Sequence, residues 1–231
     1  MTLLTLTIDV GGSSIKAIIL QEDGSPASTR SQIETPHPAT PDVIVATLID
    51  FMATQDNYDR ISIGFPSVVE NGITRGAINL HPDWDGFHLL EVLQTKLDKP
   101  IKIANDADVQ GCGAIAGHGV ELVITLGTGL GSSLFLDGKL LPNLELGHHI
   151  CRDRETYEDL LGQAALDHVG VKVWNGRLLL AIASIYNLFN YDKLYIGGGN
   201  ARLISGNLPQ NVMIISNDLG LIGGLALWRS K

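Results

Sequence analysis

Cysteine is nearly absent from the chain. The two present among 231 residues, Cys112 and Cys151, have neither CxxC nor zinc-ligand spacing, so they read as small buried or half-buried thiols. Basic residues are also scarce, 16 Lys plus Arg against 25 Asp plus Glu, for a formal charge of −9 spread along the chain without blocks. Nucleic acid and acidic membrane surfaces need a basic face that displaces counterions, and both are excluded as main partners. No apolar run approaches the roughly 20 residues that span a bilayer. The N-terminal MTLLTLTID lacks the basic region and cleavage signal of a secretory peptide, so a cytoplasmic protein is expected. The phosphate pattern GxxxxGK[ST] is missing as well, and no GxGxxG stands between a strand and a helix.

What is present is a repeat. LTLTIDVGGSSIKAIILQEDG alternates as a strand, breaks at Gly11 and Gly12, alternates again and ends in an Asp-Gly turn. More than a hundred residues later ELVITLGTGLGSSLFLDGKLL does the same, turning at Gly127, Gly129 and Gly131 and ending at Asp137-Gly138. Two such hairpins predict two similar domains. Their glycine tips can offer backbone N–H groups and hydroxyls to an anion without net positive charge. That is how an acidic protein could hold phosphates.

Helical and strand patterns alternate around these hairpins. TPDVIVATLIDFMATQ carries a helical stripe at Ile44, Leu48, Phe51 and Met52, with Asp42 near its start. FHLLEVLQTKLDK, RLLLAIASIYNLFN and NDLGLIGGLALW read as helices, and RISIGFP, PIKIAN and KLYIGGG as strands. With 45% hydrophobic residues the chain can fill two modest α/β cores. The expected division is a smaller N-terminal domain over 1–104 and a larger domain over 105–216, with a helix over 217–231 packing back on the first.

Three polar clusters could carry chemistry. Asn105-Asp106-Ala107-Asp108 follows the strand PIKIA: Asn and Asp are favoured helix N-caps, and a carboxylate at the end of a strand can also accept a hydroxyl proton during phosphoryl transfer. Glu145-Leu146-Gly147-His148-His149 is either a charged surface turn or a carboxylate and imidazole pair able to bind several hydroxyls of one sugar. Gly197-Gly198-Gly199-Asn200 is either a plain turn or a place where a ligand approaches backbone. An acid at a phosphate hairpin would repel its ligand unless a cation lay between them, so Asp9 predicts a magnesium–phosphate ligand. Lys16 reads equally as a solvated strand residue and as a phosphate contact.

In this order the motifs resemble the ROK family of sugar kinases. Asp9-Val10-Gly11-Gly12-Ser13 is similar to its first phosphate hairpin, Asn105-Asp106-Ala107 to its catalytic segment, Gly127-Thr128-Gly129-Leu130-Gly131 to its second phosphate hairpin, and Glu145-x-x-His148 to its sugar signature. The resemblance implies a two-domain, actin-like α/β ATPase fold of the hexokinase and ribonuclease H type, with an inter-domain cleft that closes over the sugar. It makes Asp106 the general base, and Asn105, Glu145, His148 and Glu158 the sugar ligands. Phosphate or nucleotide would be held by Gly11, Gly12, Ser13, Lys16, Gly127, Thr128, Gly129, Gly198 and Gly199, with Mg²⁺ near Asp9.

Many family members follow the histidine with CxCGxxGC; HHICRDRETYEDLL has only Cys151, so structural zinc is not expected. The family's repressors carry an N-terminal DNA-binding domain, and Asp9 so near the start speaks against one. Thr35-Pro36-His37-Pro38-Ala39-Thr40-Pro41, the NDAD tetrad and LPNLELGH look like the strings of the polyphosphate glucokinase subgroup, although the segment between His149 and Trp174 is shorter. The resemblance therefore implies a glucokinase using polyphosphate, ATP or both, and a homodimer. A kinase for another hexose or an N-acetylated amino sugar, or a non-catalytic sugar-binding protein of the same fold, stays open.

Overall fold

The computed structural model describes residues 2–76, 80–216 and 219–228. The chain divides into two compact units, Met1–Gly113 with Gly220–Lys231, and Ala114–Leu219.

The first unit runs β1 (Thr5–Val10), β2 (Ser14–Leu20), β3 (Ser31–Glu34), α1 (Pro41–Ala53), β4 (Arg60–Phe65), a small hairpin of β5 (Val68–Glu70) and β6 (Ile73–Arg75), α2 (Leu89–Gln94), β7 (Ile101–Asn105) and α3 (Asp106–Ala114). Its sheet has the order β3-β2-β1-β4-β7. The first three strands pair antiparallel, and β1, β4 and β7 are parallel. Alternation sorts the faces: Leu6, Ile8, Val10, Ile15, Ala17 and Ile19 enter a core closed by Ile44, Val45, Leu48, Phe51 and Met52 of α1. Thr5, Thr7 and Asp9 take the opposite face. Pro41 at the first helical position and Asp42 in the first turn start α1 as its sequence predicts.

The second unit repeats the plan. It contains β8 (Val120–Leu126), β9 (Leu130–Leu136), β10 (Lys139–Leu141), β11 (Ile150–Arg152), β12 (Glu155–Thr156), α4 (Tyr157–Leu161), α5 (Gln163–Phe189), β13 (Lys193–Gly197) and β14 (Val212–Ile214). The order β10-β9-β8-β13-β14 matches the first sheet strand for strand, again with an antiparallel meander and then parallel strands. Asp137 and Gly138, with φ of 49° and 75°, make the two-residue turn between β9 and β10. Trp174 is fully buried in this core, and its indole N–H donates to the Leu161 carbonyl at 2.9 Å.

Three elements differ from their sequence patterns. α2 stops at Gln94, short of the expected end; only Leu89 and Leu93 of it are buried, and the chain goes on in turns, the amides of Lys96 and Leu97 donating to the Leu93 carbonyl. α5 begins at Gln163, well before the apolar stretch, with non-helical backbone at Gly170 (φ 74°) where two helical segments meet. The C-terminal helix is only α6 (Leu219–Gly223), followed by a 3₁₀ turn at Ala226–Trp228. The expected helix also took in residues 217–218 and 229–231, which lie outside the described residues. The division between units falls after Gly113 rather than near 105, since α3 lies against the first sheet: a Cβ on Gly64 would meet the Asp106 Cα at 3.4 Å and Val109 at 3.6 Å.

Just past that division, Glu121 on β8 is 0% exposed. Its carboxylate accepts from the amides of Ala116 (2.8 Å), Gly117 (2.7 Å) and His118 (3.0 Å) and from the Tyr195 hydroxyl (2.8 Å). Among the described residues no helix is long and apolar enough to cross a membrane.

Candidate active site

In the first unit the site is built by register. Asp9 lies opposite Gly64 on β4, and Gly64 opposite Ala104 on β7, so β1, β4 and β7 end at one level. Asp106 follows β7 directly, at the first turn of α3. One sheet edge thus carries Asp9, Asn105 and Asp106. Gly64 matters here because it has no side chain: α3 starts close against the sheet.

Asn105 caps that helix. Its Oδ1 accepts from the amides of Ala107 (2.8 Å) and Asp108 (3.2 Å), while Nδ2 donates to the Ser67 carbonyl at 3.1 Å. The Asp106 Oδ1 also accepts from the Ala107 amide at 2.8 Å, which orients its half-buried carboxylate. Capping and a placed carboxylate therefore coexist in adjacent residues.

Asp9 lies 3.9 Å from the Lys16 ammonium, directly across the hairpin. Burial pushes its carboxyl up, and the charges of Lys16 and Arg30 oppose that rise. The hairpin tip is tied by Gly11 N–H to the Ser14 carbonyl (3.0 Å), Thr35 N–H to the Ser13 carbonyl (3.1 Å) and the Thr35 hydroxyl to the Gly11 carbonyl (2.6 Å). A Cβ on Gly11 would crowd Ser14, whereas one on Gly12 would meet nothing within 4 Å. Close packing at one glycine and open space at the other, rather than left-handed backbone, account for this pair.

In the second unit the β8–β9 hairpin is surrounded on three sides. Glu158, in the first turn of α4, accepts from the Leu130 amide at 2.9 Å, and a Cβ on Gly129 would overlap its Oε2. From the start of α5, the Gln163 amide donates to the Thr128 carbonyl at 3.1 Å. Beyond β13, Asn200 donates to the Gly127 carbonyl (3.3 Å) and to Gln163 Oε1 (3.0 Å). Gly198, at φ 89°, presses on the Leu126 backbone where any side chain would collide; Gly199 faces open space.

The sugar signature forms a 3₁₀ turn, Leu146–His148, seated on β9. A Cβ on Gly147 would overlap the Leu130 carbonyl. Ser132 fixes the turn by donating to the Leu144 carbonyl (2.6 Å) and accepting from the Leu146 amide (3.1 Å). His148 Nδ1 lies 3.3 Å from Glu145 Oε2. Burial raises the Glu145 carboxyl above its ordinary value; His148 works against that and the negative Glu158 adds to it. Glu145, His148 and Glu158 thus form one electrostatic group beside Gly127–Gly129.

The first unit therefore gathers Asp9, Gly11, Gly12, Ser13, Lys16, Asn105 and Asp106, and the second gathers Gly127, Thr128, Gly129, Glu145, His148, Glu158 and Gly198. Sequence reading missed Gln163 and the amide role of Asn200. Both follow a glycine at the start of a helical turn, which is the signal that could have found them. It also missed Arg30, which stands in a polar loop without a motif.

The sequence pattern of the ROK family matches residues 5–157. The chain is 29% identical over 233 residues to the polyphosphate glucokinase of Mycobacterium leprae, covering 94% of this chain and 72% of that protein. It is 28% identical over 232 residues to the polyphosphate glucokinase of Mycobacterium tuberculosis, covering 94% and 88%. Among solved structures it is similar to the inorganic polyphosphate/ATP-glucomannokinase of Arthrobacter sp. strain KM, with a TM-score of 0.87, 27% identity, and 98% and 99% of the two chains covered. The glucokinase of Streptomyces griseus, solved with glucose and AMPPNP, shares the fold at a TM-score of 0.77 and 21% identity, with 97% and 98% covered. The two-unit actin-like ATPase fold is thereby established.

Proposed function

Because the chain belongs to the ROK family, whose members include sugar kinases, we propose that it transfers a phosphoryl group from polyphosphate, ATP or both to the 6-hydroxyl of glucose. The observation that carries this reading is the placement of Asp106, oriented by the Ala107 amide at the edge that also holds Asp9. The names of the mycobacterial and Arthrobacter relatives support the donor and the acceptor.

Asp106 accepts the proton of the 6-hydroxyl as the new P–O bond forms. Asn105 uses one of its two N–H donors on Ser67 and offers the second to the sugar. Glu145, His148 and Glu158 take further sugar hydroxyls. The amides around Gly11, Gly12 and Ser13 and around Gly127, Thr128 and Gly129 meet the phosphate oxygens, with Lys16 as a nearby charge. Gly198 and Gly199 let a nucleotide approach the backbone. Asp9 supplies one carboxylate, which suits Mg²⁺ because that ion takes one or two carboxylates with water and phosphate oxygens completing its shell. When bound, Mg²⁺ neutralises donor charge. The enzyme works in the cytoplasm as a homodimer.

The glucomannokinase relative favours a second acceptor, mannose, beside glucose. The deciding experiment measures sugar 6-phosphate formation by the purified protein with Mg²⁺, using ATP-free polyphosphate or polyphosphate-free ATP and a panel including glucose, mannose and N-acetylmannosamine. Product from glucose with either donor supports the reading. Product only from an amino sugar replaces the acceptor, and no product from any pairing overturns it.

A further inference from the structure

The second phosphate hairpin turns at Gly127–Gly129, between the end of β8 and the start of β9. One backbone bond closes the turn, the Gly127 amide donating to the Gly129 carbonyl at 3.1 Å. The next two amides, those of Thr128 and Gly129, have no acceptor among the described residues, and Thr128 is exposed. Consecutive N–H groups of this kind hold an anion best when both point at it.

Their direction is set by the carbonyls before them. A trans peptide is planar with its C=O and N–H on opposite sides, so fixing the Gly127 carbonyl fixes the Thr128 amide, and fixing the Thr128 carbonyl fixes the Gly129 amide. Both carbonyls are held from within the second unit. The Thr128 carbonyl accepts from the Gln163 main-chain N–H at 3.1 Å, and Gly162 stands so close that a Cβ there would meet the same oxygen at 3.0 Å. The Gly127 carbonyl accepts from Asn200 Nδ2 at 3.3 Å. Asn200 Nδ2 also donates to Gln163 Oε1 at 3.0 Å, and Gln163 Nε2 donates to Asp167 Oδ1 at 2.8 Å. Asp167 thus turns the Gln163 amide so that its oxygen faces Asn200, which is 6% exposed and spends both of its N–H donors here.

We propose that Asn200 and Gln163 are positioning residues for phosphoryl transfer, a brace that aims the Thr128 and Gly129 amides at the donor's phosphates. The proposal rests on the kinase reading above. A misaimed amide loses most in the transition state, where charge shifts among the phosphate oxygens, so the brace acts on kcat and on the donor and leaves the sugar alone.

The test is a double-mutant cycle of Asn200→Leu and Gln163→Met, substitutions close in shape that remove the side-chain bonds and keep the Gln163 main-chain N–H. kcat and KM are measured for each donor and for glucose, with calorimetric binding of inorganic tripolyphosphate. Asn200→Leu is expected to lose about ten- to thirtyfold in kcat and Gln163→Met about three- to tenfold, both with a glucose KM within about twofold of wild type. The double variant should fall within about twofold of Asn200→Leu, because Gln163 acts through Asn200. Tripolyphosphate affinity should drop about threefold or more in each. Wild-type kcat in the single variants, a glucose KM that shifts as far as kcat, or losses that multiply in the double variant would overturn the proposal. Gln163→Met decides alone if Asn200→Leu does not fold. A wild type that makes no product from any donor sinks the kinase reading; weaker tripolyphosphate binding in the variants then upholds the brace, and unchanged or absent binding overturns it.

Discussion

The Glu158 carboxylate accepts the Leu130 amide at 2.9 Å, so a residue assigned to the sugar also holds an amide of the second phosphate hairpin. Gly129 is what permits it, since any side chain there would overlap Glu158 Oε2. Gly129→Ala is therefore expected to displace either the hairpin or Glu158, costing about 1–3 kcal/mol as overpacking does. Glu158→Ala leaves the Leu130 amide without its acceptor, a cost of about 1–3 kcal/mol, while Glu158→Gln keeps an acceptor and costs less. Urea titration of the three variants checks that order; a Glu158→Gln variant as unstable as Glu158→Ala would contradict it.

Asp106 offers the sharpest functional test. An asparagine there keeps a carbonyl oxygen for the Ala107 amide, so the start of α3 survives. It cannot take a proton from a hydroxyl. Asp106→Asn is expected to bind glucose within about threefold of wild type and to lose at least about a hundredfold in kcat. Calorimetry and single-turnover assays separate the two, and near-normal kcat would remove Asp106 from the mechanism.

Much of this arrangement is legible in the chain. Both hairpins, α1 and the strands before Gly64 and Asn105 follow from alternation and turn chemistry, and the NDAD tetrad reads as cap and carboxylate because it is both. The ExGH glycine is legible only as part of a motif; that it presses on the Leu130 carbonyl depends on the start of a strand seventeen residues earlier. What local pattern hides is anything made by long-range partners. Glu121 looks like an ordinary residue of VELVITL, and Gln163 and Asn200 meet only after β13 is in place. The extent of α5 is hidden because Gly176 suggests a break where packing of Trp174 and Leu178 sustains the helix, whereas Gly170 does interrupt it, at φ 74°.

Glu121 makes stability depend on acid. Burial pushes its carboxyl up, but the hydrogen bonds from Tyr195, Ala116, Gly117 and His118 outweigh it and hold it below the ordinary value of 4.5. A folded pKa below the unfolded one adds stability above the unfolded value, which is lost as pH falls through the folded value. Denaturation midpoints for wild type should hold above about pH 5 and drop below 4.5. Glu121→Gln should be less stable at pH 7 by about 1–3 kcal/mol and show a flatter acid limb. An unchanged acid limb in the variant would assign the acid sensitivity to other carboxylates.

Trp228 closes the chain back onto the first sheet. Its indole N–H donates to the Ser62 hydroxyl at 2.7 Å, and that hydroxyl donates to the Gly224 carbonyl at 2.7 Å. Arg60 and Lys102 lie over the ring, and Lys102 also donates to the Leu227 carbonyl. A Cβ on Gly224 would meet Thr7 at 2.7 Å, so the segment reaches the face that carries Asp9. Trp228→Ala should cost about 2–4 kcal/mol, since the ring is half-buried and loses cation–π contacts along with packing. Trp228→Phe keeps ring and cations but not the Ser62 bond, and should recover more than half of that loss. Thermal unfolding at matched salt measures both. If phenylalanine proved no better than alanine, the indole hydrogen bond rather than the stacked cations would be what anchors the segment.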